Sequence, residues 1–163
     1  MKKQLFMFLL LSGLTMLMLG CNPDVDPVIS ETETPTPDPD LDPVPGNKLR
    51  ITIGSVSFTG TLANNATATA FKALLPMTVS MREMNGNEKY YYLPDNLPTA
   101  ASNPGTIQVG DLMLYGSDCV VLFYETFQTS YSYTRLGRLD NPSELAASLG
   151  SGSVNAVSYT HLR

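Results

Sequence analysis

Short runs in which apolar and polar residues alternate, interrupted by Gly, Pro and Asn, recur along the chain from residue 48 onward. The first run covers residues 49–53, with Leu and Ile at the odd positions and Arg and Thr at the even ones. This period of two predicts a strand with one buried face. Gly54-Ser55 separates it from a second run over Val56–Leu62. The spacing predicts a two-residue hairpin in which Gly supplies a positive φ.

The later runs extend the same pattern. Further strands are predicted at Met77–Met81, Tyr90–Leu93, Asp111–Tyr115, Cys119–Phe127, Tyr133–Leu139 and from Ser153 onward. The segment 119–124 is apolar on both faces, which favours a central position for that strand.

Two short segments have helical signals instead. Asn65 can cap a helix that ends before Pro76. Residues 141–144, with the sequence Asn-Pro-Ser-Glu, resemble a capping box in front of a helix over Leu145–Leu149. Many short strands with two brief helices predict a mainly β fold, a small closed barrel.

The N-terminal residues have the features of an export signal. Lys2-Lys3 precedes an apolar run over Leu5–Leu19, and these 15 residues are fewer than the roughly 20 that a membrane span needs. Residues 18–21, Met-Leu-Gly-Cys, resemble the bacterial lipobox, whose Cys is acylated. The sequence therefore predicts a lipoprotein signal peptide over residues 1–20 with Cys21 as the lipidated residue; the alternative is a buried helix that happens to contain a Cys.

Residues 21–47 are predicted to form a linker. Residues 22–47 contain seven of the chain's twelve prolines, seven acidic residues and no basic residue. Such a segment cannot bury a core, and Pro-rich chain extends by about 3.1 Å per residue, so the linker could span roughly 80 Å. It is either a spacer that lifts the domain off a membrane or an unspecialised linker, and both tether the domain.

Charge and composition exclude several functions for residues 48–163. The segment has eight acidic and eight basic residues, so the net charge of -5 arises outside it. A neutral domain without a basic cluster predicts no nucleic-acid partner. One His, two Cys and no Trp leave little for a metal site, and no metal or cofactor is predicted. Cys119, inside an apolar run, is expected to be a buried structural thiol.

Residues 107–112, Ile-Gln-Val-Gly-Asp-Leu, look like the Ile-Gln-Gly-Gly-Asp-Phe stretch of cyclophilins. More broadly, residues 48–155 resemble a bacterial cyclophilin-like family. The other matching stretches are Phe71–Pro76, Tyr115, Leu122–Tyr124 and Leu136–Arg138. The resemblance implies a small cyclophilin-like β-barrel over residues 48–163, of a type often found on secreted proteins and generally without an assigned activity.

The resemblance also bears on catalysis. In cyclophilins the Gln of that stretch hydrogen-bonds the substrate backbone, and Gln108 would inherit this role. The catalytic Arg would fall at Ala100, and the aromatic residue and Met of the proline pocket at Gly105 and Thr106. Loss of the cation and of the pocket wall implies that isomerase activity is absent. A polar residue entering a strand is the alternative role for Gln108.

Four further residues are candidates for ligand binding. Arg135 and Arg138 are the cations that could replace the missing catalytic Arg. Tyr131 and Tyr133 alternate, which predicts two rings on one strand face that could line a groove for peptide or sugar. Ordinary packing in the core and at the barrel rim is the alternative for both tyrosines.

The predicted function is that of a membrane-anchored lipoprotein of the bacterial cell envelope, periplasmic or cell-surface, whose domain binds a peptide or small-molecule ligand. The alternative is a peptidyl-prolyl isomerase or chaperone for exported proteins. The tail over residues 157–163 is either an ordinary polar C-terminus or, as its resemblance to translated sequencing adapter indicates, a non-native end that includes His161.

Overall fold

The computed structural model describes residues 46–159. The predictions for the signal peptide, for Cys21, for the linker as far as residue 45 and for His161 lie outside the described residues. The strands and helices are β1 (Lys48–Ile53), β2 (Val56–Leu62), α1 (Ala66–Lys72), β3 (Met77–Met84), β4 (Glu88–Tyr92), β5 (Thr106–Ile107), β6 (Asp111–Tyr115), β7 (Cys119–Phe123), β8 (Phe127–Gln128), β9 (Thr134–Leu139), α2 (Leu145–Leu149) and β10 (Val154–Tyr159).

Eight of these strands form a closed antiparallel barrel in the order β1-β10-β3-β4-β7-β6-β9-β2. The two remaining strands, β5 and β8, pair with each other as a separate small sheet. The prediction of a mainly β fold with a closed barrel and two short helices is confirmed. Neither helix in the described part of the chain is long and apolar enough to cross a membrane.

The barrel closes between its first and last strands. β1 pairs with β2 through the predicted two-residue hairpin, in which Ile53 lies opposite Val56 and Gly54 has a φ of 59°. On its other side β1 pairs with β10, with Arg50 opposite Tyr159. β10 also pairs with β3, so residues 157–159 of the tail lie inside a strand that has two neighbours.

The two helices begin differently. The Asn65 side chain accepts a hydrogen bond from the Ala68 amide at 2.7 Å, which confirms the predicted cap of α1. The predicted capping box of α2 is wrong, because Glu144 is itself the residue before the helix and no side chain caps it. The Leu145 amide instead donates to the Pro142 carbonyl at 3.0 Å, so a backbone turn satisfies the first helical N–H group.

β7 is buried on both faces, as the apolar run over residues 119–124 predicted, and so is β6 as far as Leu114. The residues that point into the barrel, such as Leu114 and Leu122, belong to the main core. The outward residues Met113, Cys119, Val121 and Phe123 pack with Ile107 and Tyr133 in a second cluster. The outer face of these strands is therefore covered by other parts of the chain.

The prediction of one continuous strand over Cys119–Phe127 is wrong. β7 ends at Phe123, and Phe127 begins β8, which pairs with Ile107 of β5. The Tyr124 amide donates to the Asn87 carbonyl at 3.0 Å, which extends the pairing of β7 with β4 by one residue before the chain leaves this sheet. The Tyr124 hydroxyl also donates to a Glu83 carboxylate oxygen at 2.7 Å. These two bonds hold Tyr124 against the β3–β4 hairpin, and the chain after it forms a separate pairing.

A fully buried lysine lies on the inner side of β4. Lys89 Nζ donates to the carbonyl oxygens of Gly150 at 2.8 Å and Gly152 at 2.6 Å, and to the Glu83 carboxylate. Burial raises the pKa of Glu83, but hydrogen bonds from Lys89, Tyr124 and the Gly86 amide outweigh it and lower that pKa overall. Burial and the hydrogen bond to Glu83 raise the pKa of Tyr124 to about 12. This group ties the segment after α2 to the hairpin of β3 and β4.

Candidate functional site

The outward side chains of β4, β7 and β6 form the floor of a cleft. Cys119 of β7 pairs with Tyr92 of β4 on one side and with Tyr115 of β6 on the other, so these three residues form one row across the sheet. In the next row, Val121 lies opposite Tyr90. Because side chains alternate along a strand, both rows point away from the barrel interior.

The walls of this outer-face cleft come from loops. Its residues are Met84, Asn85, Asn87, Glu88, Tyr90, Tyr92, Tyr115, Cys119, Val121, Phe127, Tyr131 and Tyr133, and its volume is about 240 Å³. Tyr115 packs edge-on against Tyr131, with ring centroids 6.0 Å apart, and against Tyr133 at 5.6 Å. Across the floor, Tyr90 and Tyr92 form another edge-on pair at 5.7 Å. Tyrosines therefore flank the cleft on two sides.

Two polar groups of the cleft lack partners. Glu88 begins β4, and burial together with the nearby Glu83 raises the pKa of its carboxyl. Within residues 46–159 Glu88 makes no ion pair. Asn87 Oδ1 is buried and accepts no hydrogen bond from the described residues. A buried acceptor left in this state costs about 1–3 kcal/mol.

Cys119 lies in the floor and is the free cysteine of the described residues. Burial, followed by the charges of Asp118 and Glu88, raises the pKa of its thiol to about 11. Because the thiolate is the reactive form, the thiol at neutral pH is a poor nucleophile. Cys119 therefore contributes apolar surface to the cleft, in agreement with the buried structural thiol expected from the sequence.

Tyr131 and Tyr133 both line the cleft, but the predicted strand that would carry both rings on one face does not exist. Tyr133 is 7% exposed and pairs with Ser102 through an isolated bridge. Tyr131 is 61% exposed and lies in a turn, where its amide donates to the Thr129 hydroxyl. Their rings meet the cleft because each packs against Tyr115.

Gln108, Arg135 and Arg138 come together elsewhere, around the buried Asp111. The backbone amide of Gln108 donates to Asp111 Oδ2 at 2.9 Å. The Arg135 guanidinium lies 3.0 Å from Asp111 Oδ1, and that of Arg138 lies 3.8 Å from the same atom. None of the three lines the outer-face cleft. Two guanidiniums and a backbone amide thus compensate one buried carboxylate.

The positions of the missing isomerase residues lie in the loop before β6. The Ala100 amide donates to the Thr134 hydroxyl at 3.0 Å, Gly105 has a φ of 70°, and Thr106 begins β5. None of these residue types supplies a cation or an apolar pocket wall. Within residues 46–159, no three His, Cys, Asp or Glu side chains converge to hold a metal ion.

The sequence interpretation missed Asn87, Glu88, Tyr90, Tyr92 and Tyr115. One signal could have found three of them. Glu88, Tyr90 and Tyr92 alternate with Lys89 and Tyr91, so they share one face of β4. The neighbouring strand β7 is apolar on both faces, which indicates that other parts of the chain cover its outer side next to these residues.

Comparison with known proteins agrees with this architecture. A hypothetical protein from Archaeoglobus fulgidus, whose structure was determined in solution, matches with a TM-score of 0.53 and 16% identity, over 69% of this chain and 92% of that chain. At this identity the likeness concerns the fold alone. No curated protein matches the chain. The model of the cyclophilin-like family matches residues 51–158, from the first barrel strand to the last. The chain belongs to the cyclophilin-like family.

Proposed function

We propose that this protein is a lipid-anchored binding protein of the bacterial cell envelope, periplasmic or cell-surface, whose domain holds a peptide or small-molecule ligand without isomerase activity. The observation that carries the binding function is the outer-face cleft, in which a carboxylate without an ion pair and a buried amide oxygen without a donor lie among tyrosines. Concave, largely apolar sites with a few convergent polar groups are typical of ligand binding.

The anchoring is supported by residues 1–21, which have a charged start, a short apolar run and a lipobox-like end. Two or more acyl chains on one Cys hold a protein stably on a bilayer, because each buried methylene contributes about 0.8 kcal/mol.

Replacement of Cys21 by Ser is expected to release the protein from membranes, because the variant has no thiol at the lipobox-like site to acylate. Fractionation after a carbonate wash measures the effect: the wild-type protein should sediment with membranes and Cys21→Ser should remain in the supernatant. Cys119→Ser is the matched control and should still sediment. Full sedimentation of Cys21→Ser would show that lipidation of this residue is not the anchor.

The alternative, a prolyl isomerase or chaperone for exported proteins, is favoured by one observation. Arg135 and Arg138 are cations close to Gln108, and their side chains are 48% and 51% exposed. Their guanidiniums nevertheless face Asp111, whereas an isomerase needs a donor aimed at the prolyl nitrogen in a desolvated slot. Neither arginine lines the outer-face cleft or the three other described pockets.

The purified protein is therefore expected not to accelerate cis/trans isomerisation of a proline tetrapeptide, which proceeds spontaneously over tens to hundreds of seconds. A single preorganised donor is typically worth about 10²- to 10³-fold in rate, so its absence removes most of the catalysis. A protease-coupled assay measures the rate. Robust turnover that is abolished by Arg135→Ala or Arg138→Ala would establish the isomerase and identify its cation.

A further inference from the structure

The charge of the outer-face cleft selects the sign of its ligand. Glu88 contributes a carboxylate, and among the described residues no Lys or Arg lines the cleft. Lys89 is adjacent in sequence, but its ammonium is held on the opposite side of β4 by Glu83 and two carbonyl oxygens. Asp118, in the turn between β6 and β7, adds negative charge near Cys119. Arg82 of β3 lies opposite Tyr90 but outside the lining, so Glu88 is the charged residue that lines the cleft and a cationic ligand would complement it.

The aromatic rings favour the same kind of ligand. A tyrosine face carries negative electrostatic potential and attracts a cation within about 6 Å of the ring centre. Tyr92 and Tyr115 lie on either side of Cys119 in one row, so their backbones are about 10 Å apart at the usual strand spacing. Tyr131 packs edge-on against Tyr115 and keeps much of its surface exposed. A small cation on the floor therefore meets rings from both sides.

Glu88 limits the cation further. Its carboxylate makes no ion pair within residues 46–159, so its oxygens can accept N–H or O–H donors from a ligand. A protonated primary amine has three N–H donors, whereas a quaternary ammonium has none. The cleft volume of about 240 Å³ is below the 300–1,000 Å³ usual for drug-sized ligands, so it suits one side chain or a small amine.

We propose that the outer-face cleft binds a protonated primary amine on an aliphatic chain, with the ammonium between Glu88 and the tyrosine rings. This inference rests on the proposed binding function of the same cleft and names its ligand class. The amine can belong to a lysine side chain of a peptide or to a free alkylamine, since both present the same group.

The test is a titration of the full-length protein in detergent, followed by amide shifts in NMR spectra and by tyrosine fluorescence, which is unobscured because the chain has no Trp. The probes are pentylammonium, the neutral pentanol and pentyltrimethylammonium. We expect pentylammonium to shift the amides of β4, β6 and β7 and to bind at least about tenfold more tightly than either of the others, since hydrogen bonds between charged groups are the strong ones.

Variants assign the contacts. Glu88→Gln should lower the affinity for pentylammonium about tenfold and leave the affinity for pentanol unchanged. The matched control is Glu125→Gln, which changes an exposed acid outside the cleft and should alter neither affinity. Tyr131→Phe should retain affinity and Tyr131→Ala should lose it, because the ring face and not the hydroxyl makes the contact.

A peptide pair distinguishes the two sources of the amine. Acetyl-Gly-Lys-Gly-amide binding more tightly than pentylammonium indicates a peptide lysine, and weaker binding indicates a free amine; both outcomes support the ammonium site. The same peptide with norleucine in place of Lys should not bind. Equal affinity for pentanol and pentylammonium, or no effect of Glu88→Gln with shifts still in the cleft, would refute the ammonium site and leave the binding function intact. No cleft shift with any probe would overturn both.

Discussion

Replacement of Lys89 by Met is expected to lower the free energy of unfolding by about 3 kcal/mol, the low end of the range for breaking a buried ion pair. Lys89 is fully buried, and its ammonium donates to three acceptors. Met restores the apolar stem but leaves the Gly150 and Gly152 carbonyl oxygens without their donor. The Glu83 side chain is 25% exposed, so water replaces part of what it loses. Equilibrium unfolding in urea measures the change.

Lys48→Met is the matched control. Lys48 also forms an ion pair, with Asp140 at 2.9 Å, but the two side chains are 41% and 35% exposed. Exposed pairs contribute up to about 1 kcal/mol, so this variant should lose less than that. Equal losses for the two variants would contradict the structural role of Lys89.

Acid should reduce the stability that the ion pair between Glu83 and Lys89 contributes. The folded-state pKa of Glu83 lies below its ordinary value of 4.5, so this carboxylate stabilises the fold fully above that pH. The contribution disappears as the pH falls through the lower, folded-state pKa. Lys89→Met should remove part of this dependence.

Truncation of Leu122 to Ala is expected to cost roughly 2–5 kcal/mol, because the deletion leaves a cavity in the barrel core. Leu122 is 0% exposed and lies in β7 between Lys89 of β4 and Leu112 of β6. Leu74→Ala is the control, since Leu74 is 39% exposed, and it should change stability by less than about 0.5 kcal/mol. A comparably small change for Leu122→Ala would refute its place in the core.

The barrel was predictable because its signals are local. The Gly54-Ser55 hairpin and the Asn65 cap each depend on a few consecutive residues, and both are present. By contrast, the reason for Gly137, in the Leu136–Arg138 stretch, is a contact between distant strands. A Cβ on Gly137 would lie 2.6 Å from the Thr61 carbonyl oxygen, so the approach of β9 to β2 requires glycine there.

The candidate site was less predictable because it depends on contacts between distant segments. Arg135 and Asp111 are separated by 24 positions, and no local pattern shows that they pair. Tyr92 and Tyr115 meet the same cleft only through the register of both strands with Cys119. Tyr131 and Tyr133 were predicted to share one face of a strand that does not exist. Both rings nevertheless line the cleft, because each packs against Tyr115.

The pairing of β10 with both β1 and β3 affects how the domain folds while the chain is being synthesised. The first strand to leave a ribosome or a translocation channel finds one of its partners only when the last strand has followed. Until then β1 and β3 each present an open edge, which is a template for pairing with other chains. Such non-local pairing also slows folding. A chain of this topology is therefore an unclosed sheet until β10 is available, and a holding chaperone would matter most to it in this interval.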